Sequence, residues 1–299
     1  MGKLIRAISQ NWAAVCWALD STDMVATLER YHQPSAVVTA AAGRLLTAAS
    51  IMGSMLKVEE GSVTLRITAG GPVGSLIAVS DAGGNARAYA ANPIVELPLN
   101  DKGKLDVSGA VGKKGNLFVV KDLGMGEPYV GLVPLASGEI AEDITSYFAV
   151  SEQIPTVCAL GVLVNPDLTV KAAGGYILQL LPGAREEDIA RVEQNTMSLP
   201  SVTQMLTAGM TPEKIAEKTL EGMAPRILDS RTVEYRCGCS RERMAAALRS
   251  LDAGELRAMA EEDGQAELCC HFCPNRYTFT KEELLEMIAE KTLDSGEDL

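Results

Sequence analysis

Cys237-Gly238-Cys239 and, thirty residues further on, Cys270-His271-Phe272-Cys273 decide how the end of this chain folds. Five of the seven cysteines fall between positions 237 and 273, the fifth being Cys269, while Cys16 and Cys158 stand alone. In a chain of 299 residues that opens on no export signal, such density points to a metal site or redox chemistry rather than a disulfide scaffold. In Cys-x-Cys the two-residue period of extended backbone turns both side chains to one face, and Gly238 lets the chain bend between them. Cys-x-x-Cys sets two thiolates on one side of a tight knuckle. Together the two pairs make a tetrahedral four-sulfur site, for which zinc is the natural occupant and an iron–sulfur centre the lesser alternative. Cys269 competes with Cys270 for a place in it, and the knuckle spacing favours Cys270. His271, lying between two ligands, is expected to point outward as a spacer.

Zinc-bound thiolates remain nucleophilic, so an oxidant that reaches them converts ligands into disulfides, which no longer coordinate as thiolates do. In small modules zinc contributes roughly 10–16 kcal/mol of folding free energy, comparable to the whole stability of an ordinary domain. Its loss is expected to unfold residues 237–299 and to loosen a marginal segment beside them. The plainer alternative is an inert zinc staple. The rest of this tail reads as three capped helices and a hairpin. Ser240 caps the first helix, Asp252 with Glu255 the second, and Thr280 with Glu283 the third, where Phe279 and Leu284 form a hydrophobic staple. The hairpin spans residues 265–279 and carries the knuckle at its tip.

Upstream, residues 184–236 read as short helices separated by Pro or Gly, none long enough to stand alone in water. Ala184-Arg185-Glu186-Glu187-Asp188 opens the first with acids at its positive end, Ser201 and Gln204 form a capping box, and Thr211-Pro212 starts the third. Four of the twelve methionines, Met197, Met205, Met210 and Met223, lie here. Methionine suits surfaces that repack against varied partners, yet the same residues serve equally to dock short helices onto a core.

Residues 1–183 mix strands and helices. Strands are expected over 4–8 and 13–19, and helices within 20–57, capped at Ser21-Thr22-Asp23 and broken at Pro34. Short strands return from 62 to about 120 with glycine-rich turns between them, a helix follows over 137–153, and a hairpin over 157–181 turns at Asn165-Pro166-Asp167. The fold class is therefore α+β: a core domain over 1–183, a helical linker over 184–236 and a small zinc-binding domain over 237–299. Cys16 and Cys158 fall on strands and read as small buried hydrophobes.

Hydrophobic residues make up 47 % of the chain and aromatics 4 %, enough apolar content for a packed core built mainly of Ala, Val, Leu and Ile. The net charge is −12, and residues 237–299 hold 7 Lys/Arg against 14 Asp/Glu with no basic stripe, so nucleic acid is not an expected partner. The apolar span 36–56 is interrupted by Arg44 and several hydroxyl residues, so no membrane association is expected and the cytoplasm is the natural compartment. A zinc enzyme needs an open coordination position and an acid or base nearby. Four thiolates close this site, and the chain has only His32 and His271, so no catalytic role is expected. The glycine clusters at 70–74 and 124–126 lack the lysine of a phosphate loop and read as turns.

The cysteine spacing resembles that of the heat-shock protein 33 family of redox-regulated molecular chaperones. So do Gly126-Glu127-Pro128-Tyr129-Val130-Gly131, Ser137-Gly138-Glu139-Ile140-Ala141-Glu142-Asp143, Tyr147-Phe148, Ser151-Glu152-Gln153 and Ala173-Gly174-Gly175-Tyr176, so the likeness covers essentially the whole chain. The resemblance implies that Cys237, Cys239, Cys270 and Cys273 bind one zinc when reduced and form Cys237–Cys239 and Cys270–Cys273 disulfides when oxidised. It further implies that the linker then unfolds, that the exposed apolar surface holds unfolding client proteins without ATP, and that the active form is associated with homodimers. The extra Cys269 departs from the family's minimal pattern.

Overall fold

The computed structural model describes residues 1–295, which form two compact units, one spanning Met1–Arg236 and the other beginning at Cys237.

In the first unit, alternating apolar residues build two five-stranded antiparallel sheets. The first sheet takes β1 (Gly2–Ile8), β2 (Ala14–Asp20), β8 (Thr156–Val164), β9 (Val170–Leu180) and β10 (Arg226–Val233), in the spatial order β10-β1-β2-β9-β8. The second takes β3 (Ser62–Ala69), β4 (Ser75–Asp81), β5 (Ala86–Ala90), β6 (Gly115–Asp122) and β7 (Tyr129–Pro134), in the order β5-β4-β3-β6-β7. Helices α1 (Thr22–His32) and α2 (Ala36–Ser54) follow β2, and Pro34 falls in the break between them. Helix α2 is apolar on every side because it runs through the main core, packed among Leu65, Leu76, Ile177 and Val233. It is the one helix among the described residues long and apolar enough to cross a membrane, and 89 % of that stretch is buried inside the protein. Ser21, expected to cap α1, is instead drawn into the core, where its hydroxyl pairs with that of Thr47 at 2.7 Å.

A short helix, α3 (Val107–Val111), precedes β6, and α4 (Ala141–Tyr147) runs on into a wider π turn over Phe148–Glu152. The expected helix over 137–153 thus begins later than its sequence pattern suggests. Residues 136–140 instead wrap the buried carboxylate of Asp143, which accepts N–H bonds from Ala136, Ser137, Gly138 and Ile140 at 2.8–3.2 Å. Gly131 on β7 is required by a close approach: a Cβ there would come within 2.7 Å of the Tyr147 ring. The motifs around Tyr129, Asp143 and Tyr147 therefore fix one local fold, closed by the Tyr129–Ser151 hydroxyl pair at 2.8 Å.

Residues 184–236 lie within this unit. Helices α5 (Glu186–Ser198), α6 (Val202–Thr207) and α7 (Pro212–Thr219) cover the face of the first sheet turned away from α2. Val192, Val202, Met205, Ile215, Ala216, Leu220 and Met223 bury themselves there against Ala7, Ala14, Cys16, Ala18, Tyr176 and Leu178. The sheet side is mostly small, so the helices sit close, and Met205 and Met223 act as docking residues while Met197 stays exposed. The expected caps form: Ser201 with Gln204 reciprocally, and Thr211 onto the Lys214 N–H. At the head of α5, Asp188 accepts from the Arg185 backbone N–H and from Asn11 Nδ2 at 2.8 Å, which ties the helix to the β1–β2 turn. Beyond α7 the chain does not stay helical. Arg226–Val233 forms β10, paired antiparallel along the whole outer edge of β1, where helices alone were expected.

Cys16 is fully buried on β2 beneath α7, and desolvation pushes its thiol up to about 12 against a small opposing pull from Thr219. Cys158 lies on β8, and burial likewise raises its thiol.

Candidate metal centre

The second unit is built from α8 (Arg241–Arg249), α9 (Ala253–Ala258), the hairpin β11 (Gln265–Cys269) and β12 (Arg276–Thr280), and α10 (Lys281–Ser295). Its core is small: Leu248, Leu256, Ala260, Phe279, Leu284, Met287 and Ile288. The three caps expected at Ser240, Asp252 and Thr280 all accept their N–H bonds. Arg241 fastens the first helix to the hairpin, placing its guanidinium 4.4 Å from the Phe279 ring centroid while donating to the Thr278 carbonyl and the Glu283 carboxylate. A core this size is too slight to hold a fold of some sixty residues without a brace.

The brace is available at the hairpin tip. The Cys270 N–H donates to the Asn275 carbonyl at 3.0 Å and closes the knuckle, and the Phe272 N–H points back at Cys270 Sγ at 3.4 Å. Cys237 and Cys239 come up to it from the strand-like segment preceding α8. The Arg243 guanidinium holds the intervening Gly238 carbonyl at 2.8 Å. All four sulfurs of Cys237, Cys239, Cys270 and Cys273 lie within 4.8 Å of one another. Cys237 approaches Cys270 at 3.5 Å, and Cys239 approaches Cys273 at 3.4 Å.

These distances suit a metal. A tetrahedron of thiolates at about 2.3 Å from a central zinc has edges of about 3.8 Å. Four soft sulfur donors match zinc, and the set leaves no open position for a substrate. Cys269, one residue away, stays outside: it is exposed on β11 and turns its thiol toward Glu267 at 3.7 Å. His271 is exposed at the tip.

Two residues of the site carried no signal in the cysteine pattern. Tyr277 Oη donates to Cys239 Sγ at 3.2 Å, and Asn275 Nδ2 approaches the same sulfur at 3.6 Å. Their effect is electrostatic. Desolvation opposes ionisation of Cys239, but donation from Tyr277 together with the neighbouring thiols and Asn275 draws it down to about 7. Cys237, more deeply desolvated, is pushed up to about 11, and Cys273 is raised as well. Of Cys237, Cys239 and Cys273, Cys239 is the one drawn toward ionisation. The only sequence clue was position: Asn275 and Tyr277 follow the knuckle at two-residue spacing, the first just before β12 and the second on it.

Fold and site together define a two-unit α+β protein whose second unit carries a four-thiol cluster that could hold a metal ion. A family model described as Hsp33 protein matches residues 2–280. The 33 kDa chaperonin of Geobacillus kaustophilus is 46 % identical over 290 residues, spanning 96 % of this chain and 98 % of that protein. That of Clostridioides difficile is 47 % identical over 287 residues, with the same coverage. The crystal structure of the 33 kDa chaperonin from Thermotoga maritima superposes with a TM-score of 0.89 at 37 % identity, covering 98 % of this chain and 99 % of that one. The chain belongs to the Hsp33 family of chaperones.

Proposed function

We propose that this protein is a redox-switched, ATP-independent holdase: a binding protein of the reducing cytoplasm, not an enzyme, with no dealings with nucleic acid or membrane. The observation that carries the reading is the convergence of four cysteine sulfurs within 4.8 Å at the end of a chain whose preceding segment, 184–236, masks an apolar sheet face. Cys237, Cys239, Cys270 and Cys273 would hold one zinc, which when bound keeps the thiols in their charged form and ties the 237–239 segment to the knuckle.

The chain's own residues do the switching. Two thiolates of a Cys-x-Cys or Cys-x-x-Cys pair transfer two electrons to a peroxide. An S–S bond forms, the O–O bond breaks, and the oxygens leave as two waters after taking up two protons. Bridging Cys237 to Cys239 and Cys270 to Cys273 removes all four donors. Without them the small core of the second unit does not hold, and the disorder reaches Arg236 and the segment before it through the continuous backbone. Helices α5–α7 are short, and their stability comes from the sheet they cover. Once they lift, Ala7, Ala14, Ala18, Tyr176 and Leu178 become a surface for partly unfolded clients, and apolar faces bared in two copies favour a homodimer.

Light scattering of a denatured client is the test. Peroxide-treated protein should suppress aggregation and reduced protein should not, with a chromophoric chelator reporting zinc release in parallel. Equal suppression in both states removes the switch; none in either leaves a structural zinc staple.

A further inference from the structure

Strand β10 is an unusual member of the first sheet. It pairs with β1 from Gly2↔Val233 through Arg6↔Asp229 and, past a bulge at Leu228, from Ala7↔Ile227 to Ile8↔Arg226. Of its eight side chains only Val233 is buried, and Ile227 and Leu228 are 45 % and 40 % exposed. Its attachment is thus mostly main-chain hydrogen bonding, backed by one apolar anchor and by Arg231, which donates to the Ala82 carbonyl at 3.3 Å. Val233 packs beside Gly84 and Gly2, where a Cβ would lie 3.0–3.2 Å from its methyl groups. A strand held this way has the marks of low local stability. The residues after it are tied down as well: Glu234 and Arg236 pair with the Ala86 backbone, the Glu234 N–H donates to Asn85 Oδ1, Tyr235 Oη donates to the Ala88 carbonyl, and Arg236 pairs with Glu234 and Asp81 before the chain enters Cys237. β10 is the element of the first unit closest in sequence to the four-thiol cluster, and it is held to β1 chiefly by its backbone rather than by buried side chains.

We propose that the outer edge of β1, now filled by β10, is a strand-acceptor site that a client's extended segment takes over when β10 is released. The proposal rests on the holdase reading for that release and adds what the vacated edge then does. An edge strand is a row of unpaired N–H and C=O groups, a template for any extended chain. β10 itself demonstrates the occupant: antiparallel, about seven residues long, with an apolar residue opposite Gly2 and little demand on the other side chains. Recognition through main-chain bonds with one side-chain pocket is the general physics of strand addition, and it suits a protein that must hold many sequences. Lys3 and Arg6 are the only charges on β1, and Asp229 faces Arg6, so an acidic residue at that register position fits best, while Arg226 and Arg231 of β10 are accepted at others. In the reduced protein the tethered β10, at high effective concentration, excludes competitors.

A synthetic peptide with the sequence of residues 226–233, capped at both ends and fluorescently labelled, tests this on the full chain. Anisotropy should show binding to the oxidised protein at least about tenfold tighter than to the reduced one. Methylating alternate backbone nitrogens, with side chains unchanged, should lose about tenfold or more. Excess unlabelled peptide should weaken suppression of client scattering. By hydrogen exchange, residues 2–8 should lose protection on oxidation and regain it with client. If oxidised protein suppresses scattering but neither binds the peptide nor regains protection in 2–8, strand takeover is wrong and the holdase reading stands. If suppression is absent while the peptide binds on oxidation, the acceptor edge stands and the holdase reading falls. Equal binding of the methylated peptide, or protection of 2–8 that rises with protein concentration and no client, overturns the proposal in favour of side-chain adhesion or pairing between copies.

Discussion

Tyr277 reaches from β12, a strand that carries no cysteine, to donate its hydroxyl to Cys239 Sγ at 3.2 Å. A donor to a ligating sulfur orients it and spreads its charge, and removing such a partner typically weakens metal affinity about 10–100-fold. Tyr277→Phe keeps the ring and removes only the donor. The variant should fold, yet give up zinc to a competing chelator at correspondingly lower chelator concentration.

Cys269 and Cys270 are neighbours with opposite surroundings. Cys270 stands 3.5 Å from Cys237 within the cluster, and Cys269 turns to Glu267 on the exposed side of the hairpin. Cys270→Ser should abolish stoichiometric zinc retention and leave the second unit largely unfolded by circular dichroism. Cys269→Ser should retain the metal and the fold; if it loses zinc instead, the ligand assignment is wrong.

Ile215 on α7 is fully buried against the first sheet. Ile215→Asp places an unpaired carboxylate in that interface, a change worth roughly 3–5 kcal/mol against docking. The helices should lift without any oxidant, so reduced, zinc-loaded Ile215→Asp protein should suppress client aggregation about as well as oxidised wild type.

Asp188 sets a pH dependence. Its carboxyl is held below the ordinary value chiefly by the Arg185 backbone N–H, against some desolvation, and then by Asn11. A depressed folded value means the ionised group contributes stability above its unfolded pKa, about 3.9, and that contribution is lost as pH falls through the folded value. Hydrogen exchange in α5 should accelerate selectively below about pH 4. Asp188→Asn should show faster exchange already at neutral pH and a flatter acid response.

The cysteine pairs, the hairpin that carries Cys270 and Cys273, and the three capped helices around it were legible because each rests on local chemistry: ligand spacing, a turn, a side chain reaching its own helix end. The strands β1, β2 and β9 were legible because they are buried and apolar, and β8 because its run is apolar although most of it is only half-buried. β10 was not. Its Arg, Asp, Ser and exposed Ile and Leu show no alternation, since its place is fixed by the β1 backbone rather than by its own burial. β7 escaped for another reason: Gly131 and Pro134 depress any strand reading, and the Tyr147 ring that requires Gly131 comes from sixteen residues away. Ser21 likewise looked like a cap because its partner Thr47 is distant in sequence. Tyr277 became visible as part of the centre only once the hairpin register brought it to Cys239.

Cys16, sealed beneath α7 with its thiol held protonated, has a consequence for how this molecule can be watched at work. A slow alkylating reagent at mild alkaline pH would label it only in molecules whose helical cover has come off. Mass spectrometry of that one peptide would then count opened molecules in a mixed population, even inside intact cells, without any dye, tag or added client.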